Sequence, residues 1–427
     1  MKILHINQQN ERGGAAKVAE SLVEELNKKG IKTELWFFDK KGNNSGYSKC
    51  IYPFLRGYNK DSLVYKLIKK IVNYYRLYYG DVNNAFFKPV INSIKEFKPD
   101  IIHLHNLHGG WVDLNSIAEI SKTIKLILTL HDEWLITGHC GATFDCLGWR
   151  ASCLTCPDLS RYVAIKRSIT RKLKEKKEEF LSVIARNNAV LVTPSEWLKK
   201  RIIDSGVWKG KEIVVIPNGI DTSKFINSGK DKSNVKEALE LPKHKKIGFF
   251  VADGGCENSY KDFLTVERTL ELMSPDKAEE FTLIIAGDHI ENKEISKINN
   301  IDVIKLGYLQ EKDLKKYYSA VDIFICPSKS DVFPLVVVEA MAAGLPVIST
   351  LVGGIPEIII SGETGILIPK QSPNHLLKEL INFLDNKYDY IQMGLNARKR
   401  IFSHFDLNRM ISNYLRLYSQ IVKNQLE

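Results

Sequence analysis

Two carboxylates, Asp331 and Glu339, stand in the stretch SKSDVFPLVVVEAMAAGLPVISTLVGGIPE, Ser328 to Glu357. An apolar run stops at Cys326-Pro327-Ser328, a loop follows, and a helix is expected to open near Phe333-Pro334-Leu335. Pro suits a first helical turn, where its missing N–H would be unpaired anyway. The free N–H groups and the dipole of a helix start attract anions. Asp331 precedes that start and Glu339 lies about two turns inside it, so the two acids can bracket a ligand lying across it. A carboxylate that accepts two hydroxyl hydrogen bonds is a natural receptor for a ribose or pyranose diol.

A second stretch, VADGGCENSYKDF from Val251 to Phe263, carries a glycine pair, a polar loop and Lys261 at an expected helix start. A lysine there would neutralise a diphosphate, a task for which a point charge is enough. Histidines punctuate the first half, in IIHLHNLHGGW (Ile101–Trp111) and LILTLHDEW (Leu126–Trp134). His103 and His105 are two apart on an expected strand and so point the same way. With His108 they could form a zinc set, but a structural role is the favoured reading of all three. Of the seven cysteines, Cys140, Cys146, Cys153 and Cys156 crowd one short segment, the last two as Cys-x-x-Cys before Pro157. A small structural zinc site and a set of reduced thiols are both open readings.

These residues need a frame. A chain of 427 residues is too long for one core, so two domains are expected. Short β-branched runs alternate with amphipathic helical stretches, which implies α/β architecture with parallel sheets. In the first half the runs are 2–8, 33–39, 100–105, 125–132, 189–195 and 212–218. In the second they are 246–253, 281–288, 303–308, 322–328 and 346–351. Each set suffices for one doubly wound, Rossmann-like domain. Pro217-Asn218-Gly219 is the expected hinge, giving domains 1–218 and 219–404. A tail helix over 405–427, with one apolar face, is expected to pack back toward the first domain. Ligands in such sheets bind beyond the carboxyl ends of the strands, and the residues singled out above fall there.

The combination resembles glycosyltransferase family 4, of the GT-B fold. The matching motifs are Asp331 and Glu339 before Ala340-Met-Ala-Ala-Gly-Leu-Pro-Val347, then Gly353-Gly354-Ile355-Pro356-Glu357 and Gly362-Glu363-Thr364-Gly365. Pro217-Asn218-Gly219-Ile220-Asp221 and Gly13-Gly14-Ala15 also match. The resemblance implies two Rossmann-like domains facing across a cleft, the first for the acceptor and the second for a nucleotide sugar. It assigns Glu339 to the nucleotide ribose, Asp331 to donor-sugar hydroxyls and Lys261 to the diphosphate, with Phe333, Leu335 and Val336 at the helix start. His131 would contact the donor sugar, and Gly13 and Gly14 would let the backbone approach the diphosphate, where a Cβ would obstruct. Two departures stand out: the family's first acid is usually Glu, and an Arg is usual where this chain has Gly255. Arg12 or Lys329 is the expected substitute. The resemblance implies a retaining hexosyl transfer in which the donor phosphate accepts the acceptor's proton. No Asp-x-Asp motif appears, so no catalytic metal is expected. Bacterial enzymes of surface-polysaccharide and lipopolysaccharide synthesis with a Cys-rich insert are the members most similar in pattern. The alternatives are a non-catalytic sugar-nucleotide binder and an epimerase or hydrolase of the same fold.

Charge supplies the remaining expectations. Residues 1–220 carry 35 Lys and Arg against 22 Asp and Glu, and the remainder carries 26 against 28. A one-sided excess marks an acidic partner. Two basic, aromatic segments, YKLIKKIVNYYRLYY (Tyr65–Tyr79) and RYVAIKRSITRKLKEKK (Arg161–Lys177), suggest helices lying on an anionic membrane. Nucleic acid is not an expected partner, because no recognition helix, zinc finger or RNA-binding aromatic motif appears. The N-terminus reads as a first strand rather than a signal peptide. The expected location is the cytoplasm, at the inner face of the membrane, with a glycan or lipid-linked acceptor.

Overall fold

The computed structural model describes residues 1–9, 13–39, 46–51, 62–80, 84–109, 111–209, 211–225 and 232–423. The chain divides into two compact units, Met1–Pro217 with Ile411–Glu427, and Asn218–Met410.

The first unit holds β1 (Lys2–Gln9), β2 (Lys32–Asp39), β3 (Ser48–Cys50), β4 (Ile101–Leu104), β5 (Lys125–Thr129), β6 (Val190–Thr193) and β7 (Ile213–Val215). Their order across the sheet is β3-β2-β1-β4-β5-β6-β7, with every pair parallel. Helices cover both faces of such a sheet, which is why Ile3 to Asn7 are all buried rather than alternating. The second unit holds β8 (Lys246–Val251), β9 (Phe281–Ala286), β10 (Glu294–Ile298), β11 (Ile301–Leu306), β12 (Ile323–Cys326), β13 (Val347–Thr350) and β14 (Ile366–Ile368). Their order is β10-β11-β9-β8-β12-β13-β14. Only β10 runs antiparallel, joined to β11 through Asn299 and Asn300, both at positive φ. That two-residue turn suits the strand twist, and the charged, exposed β10 blunts the sheet edge.

The last helix, Leu407–Lys423, places Tyr414 and Tyr418 in the core of the first unit. The Tyr418 hydroxyl lies 2.8 Å from His103 Nδ1, and the Tyr414 hydroxyl lies 2.9 Å from Thr129 Oγ1.

The two basic segments part company. Leu63–Tyr79 is a helix whose Leu63, Val64, Leu67, Ile71, Tyr74 and Tyr75 are exposed. The segment Arg161–Lys177 is not one surface helix. The helix begins only at Thr170, and Lys174 and Lys177 are buried. Lys177 Nζ donates to the carbonyls of Trp134, Thr137 and Gly138 at 2.8, 2.9 and 3.1 Å. Lys174 Nζ donates to the carbonyls of Trp149 and Ala151. Those two charges hold the Cys-rich loop, while Lys166, Arg167, Arg171 and Lys172 of the same segment are exposed, so the expectation of one continuous surface helix is what is corrected.

Candidate active site

In the second unit the strand order reverses at β8, whose neighbours are β9 on one side and β12 on the other. Connections leave in opposite directions at such a reversal and open a crevice beyond the strand ends. Lys261 lies in the loop after β8 and Asp331 in the loop after β12, and they form an ion pair. The two loops are laced together, for the Lys329 N–H donates to the Tyr260 carbonyl at 2.8 Å and Lys329 Nζ lies 3.1 Å from Asp262 Oδ1. Burial works against the Lys261 ammonium, but the neighbouring Asp331 carboxylate outweighs it and raises its pKa above the ordinary lysine value.

Backbone packing fixes Asp331. Gly353 has φ +59°, and a Cβ there would stand 1.6 Å from the Asp331 carbonyl oxygen. The Gly354 N–H donates to that same oxygen at 3.0 Å. Only glycine permits this approach, which accounts for the first glycine in GGIPE.

The helix Leu335–Ala342 opens at Pro334, which supplies no side-chain cap to its first turn. Phe333 and Leu335 are buried and Val336 is half-buried, so these three shape the helix start more by packing than by exposure. Phe333 meets Phe405 edge-on, with centroids 5.6 Å apart. Glu339, 6% exposed, accepts a hydrogen bond from the Tyr318 hydroxyl at 3.2 Å. Burial and then the Glu339 charge push the Tyr318 pKa well above its usual value, so Tyr318 stays a donor.

Gly255 explains its own departure. It has φ +53°, and a Cβ there would stand 1.7 Å from Asp288 Oδ1. The Cys256 N–H donates to that carboxylate oxygen at 2.8 Å. An arginine has no room at this position. Of the two expected substitutes, Lys329 is paired with Asp262 and Arg12 lies outside the described residues.

The first unit reverses its strand order at β1, between β2 and β4. Gly13, at φ +87°, is the residue before the helix Gly14–Lys28, with open space where its Cβ would be. His131 follows β5 and is half-buried. Its Nε2 lies 3.1 Å from His105 Nδ1, and His105 Nε2 lies 3.2 Å from His5 Nδ1. His103 bonds through both ring nitrogens, to Tyr418 and to Thr129 Oγ1 at 2.7 Å. His108 Nε2 lies 3.0 Å from Asp132 Oδ2, and its Nδ1 lies 3.2 Å from the Tyr162 hydroxyl. Burial lowers the His5 pKa to about 3. It lowers that of His131 to about 4, with Asp132 pulling the other way. His105 falls well below its usual value through burial and then its histidine neighbours. His5, His105 and His131 are therefore neutral near pH 7.

The four cysteines all line one small cavity. Their sulfur atoms do not gather as ligands. Among the described residues, only His5, His103 and His105 bring three ligand atoms within 4.8 Å of one another. The zinc set of Cys140, Cys146, Cys153 and Cys156 is corrected on that geometry. Burial pushes the Cys140 thiol up to about 12, which keeps it protonated. His139 Nε2 lies 3.2 Å from Cys156 Sγ. His5, Glu133 and Arg201 were also absent from the sequence expectations. Buried Glu133 pairs with Arg201 at 2.6 Å and accepts the Thr143 N–H at 2.8 Å.

A family model described as Glycosyltransferase Family 4 matches residues 12–224, and one described as Glycosyl transferases group 1 matches residues 231–400. The chain is 25% identical over 362 residues to the putative colanic acid biosynthesis glycosyl transferase WcaC of Escherichia coli, covering 82% of this chain and 83% of that one. Sucrose-phosphate synthase from Thermosynechococcus elongatus shares the fold with a TM-score of 0.72 at 18% identity, over 99% of both chains. HepE from Anabaena, solved in complex with UDP-glucose, does so with a TM-score of 0.64 at 16% identity, over 98% of this chain and 100% of that one.

Proposed function

This chain belongs to the family 4 and group 1 glycosyltransferases, a GT-B family, and from that premise we propose that it is a retaining hexosyltransferase using a nucleoside diphosphate sugar to build a cell-surface polysaccharide or lipopolysaccharide. The observation that carries the reading is the Lys261–Asp331 pair at the strand-order reversal of the second unit, with Glu339 on the helix that follows. Lys261 neutralises the diphosphate and Asp331 accepts hydrogen bonds from donor-sugar hydroxyls. Glu339, its carboxylate oriented by Tyr318, holds the ribose diol. For the first unit, the family resemblance assigns Gly13 and Gly14 to the phosphates and His131 to the sugar.

The bond between the sugar's anomeric carbon and the diphosphate oxygen breaks, and the electron pair leaves with the diphosphate. The acceptor hydroxyl attacks from the face that the diphosphate is leaving. Its proton passes to a phosphate oxygen, so configuration is retained without a protein nucleophile. Lys261 stabilises the charge that develops on the leaving group, which is where a fixed cation acts most strongly. The colanic acid role printed for WcaC supports a surface polysaccharide as product.

The exposed face of the helix Leu63–Tyr79 supports a lipid-linked acceptor at an anionic membrane. The helix contains no acid, and its exposed apolar stripe adjoins Lys66 and Lys70, a combination that partitions into the headgroup region. No helix among the described residues is long and apolar enough to cross a membrane.

NMR of the purified product tests the chemistry. The glycosidic bond should keep the donor's anomeric configuration, with turnover unchanged by a chelator. An inverted product would overturn the mechanism.

A further inference from the structure

The row His5–His105–His131 has a property that none of its members has alone. A neutral imidazole carries one N–H and one lone pair. In a row joined nitrogen to nitrogen, all protons must therefore point the same way, which leaves two arrangements. In one, His5 Nδ1–H donates to His105 Nε2, His105 Nδ1–H donates to His131 Nε2, and His131 carries its proton on Nδ1. In the other, every proton is reversed and His131 carries it on Nε2.

The buried end decides between them. His5 is 0% exposed, and its Nε2 has no hydrogen-bond partner among the described residues. His103, the nearest ring at 4.9 Å, has both nitrogens engaged elsewhere, and Tyr418 meets His5 only edge-on at 6.4 Å. The first arrangement leaves a bare lone pair at that end, and the second leaves a buried N–H without an acceptor. Orphaned buried N–H groups are the rarer of the two in proteins. The row also ends there, so it has no outlet through which to conduct a proton.

We propose that His5 and His105 are positioning residues that lock the tautomer of His131, so that its Nδ1–H faces outward as a neutral hydrogen-bond donor to an oxygen of the sugar nucleotide. His131 is the half-buried member of the row, and its inner nitrogen is the one bonded to His105. The ligand part of this inference rests on the proposed function, and the tautomer part does not.

With ten histidines in the chain, 15N-histidine labelling and long-range 1H–15N correlation resolve the tautomers directly. Wild-type protein near pH 7 should show His131 with a protonated Nδ1 and a bare Nε2. A protonated Nε2, or a mixture, would overturn the lock. His105→Leu should release His131 toward the Nε2–H form and lower kcat/KM about tenfold, the effect of one neutral hydrogen bond. An unchanged tautomer in a folded His105→Leu protein would also overturn it. A shifted tautomer with unchanged kcat/KM would keep the lock and refute the sugar contact. Should the variant fail to fold, the wild-type spectrum still decides the tautomer.

Discussion

Both units reverse their strand order beside their first strand, yet they use buried charge in opposite ways. In the second unit, Lys261 and Asp331 face each other across the strand-order reversal, where a ligand would lie. In the first, the reversal is lined by neutral histidines, and the buried charges sit farther along. Glu133 is tied to Arg201, and Lys174 and Lys177 are spent on loop carbonyls. Topology selects the place where chemistry can happen. Whether a charge there is chemistry or scaffold depends on what already satisfies it.

If that contrast is right, its largest consequence is in stability. Arg201→Leu should strand the buried Glu133 carboxylate and cost about 3–5 kcal/mol. Chemical denaturation would measure it, and a loss under 1 kcal/mol would mean the pair is not structural.

The neutral cluster makes a smaller, pH-dependent prediction. The His5 pKa falls from the ordinary 6.5 to about 3 on folding. Its contribution is present above pH 6.5 and is lost as pH falls toward 3, because the unfolded chain then binds the extra proton. The slope from one such group is ~1.4 kcal/mol per pH unit. Denaturation at pH 6 and pH 4 should show a shallower loss by that amount in His5→Phe. An unchanged slope would place the titration elsewhere.

Smallest are the surface charges of the helix Leu63–Tyr79. Lys66→Ala and Lys70→Ala should each weaken binding to anionic liposomes by about fivefold, on the order of 1 kcal/mol, with no binding to neutral ones. Equal binding to both vesicle types in a flotation assay would remove the membrane reading.

Much of this was legible in the sequence. The alternation of β-branched runs located eleven of the fourteen strands among the described residues, because parallel strands buried on both faces are continuously apolar. The missed strands β3, β10 and β14 are short or charged edge elements. The Lys261 and Asp331 loops were found because strand ends are where ligands bind. Tertiary packing hid the rest. Lys174 and Lys177 read as surface charge, although they lie on the stripe Thr170, Lys174, Lys177, Leu181, Ile184, whose spacing marks the buried face of that helix. His5 is one polar residue in an apolar strand, and its partners His103 and His105 are far away in sequence. The Cys spacing suggested a metal, while the sulfur positions depend on a loop conformation that no spacing encodes. Gly255 reads as a missing charge in the sequence, whereas the structure sets Asp288 against it.

The central claim is that the strand-order reversal of the second unit binds a nucleoside diphosphate sugar through Lys261 and Glu339. Its most direct test is a thermal-shift and titration screen of UDP-, GDP-, ADP- and dTDP-sugars against wild type, Lys261→Ala and Glu339→Ala. Ligand binding to the folded state raises apparent stability, so one donor should stabilise the wild type and bind each variant at least tenfold more weakly, with both variants folded. A donor that binds all three proteins equally well would contradict the account.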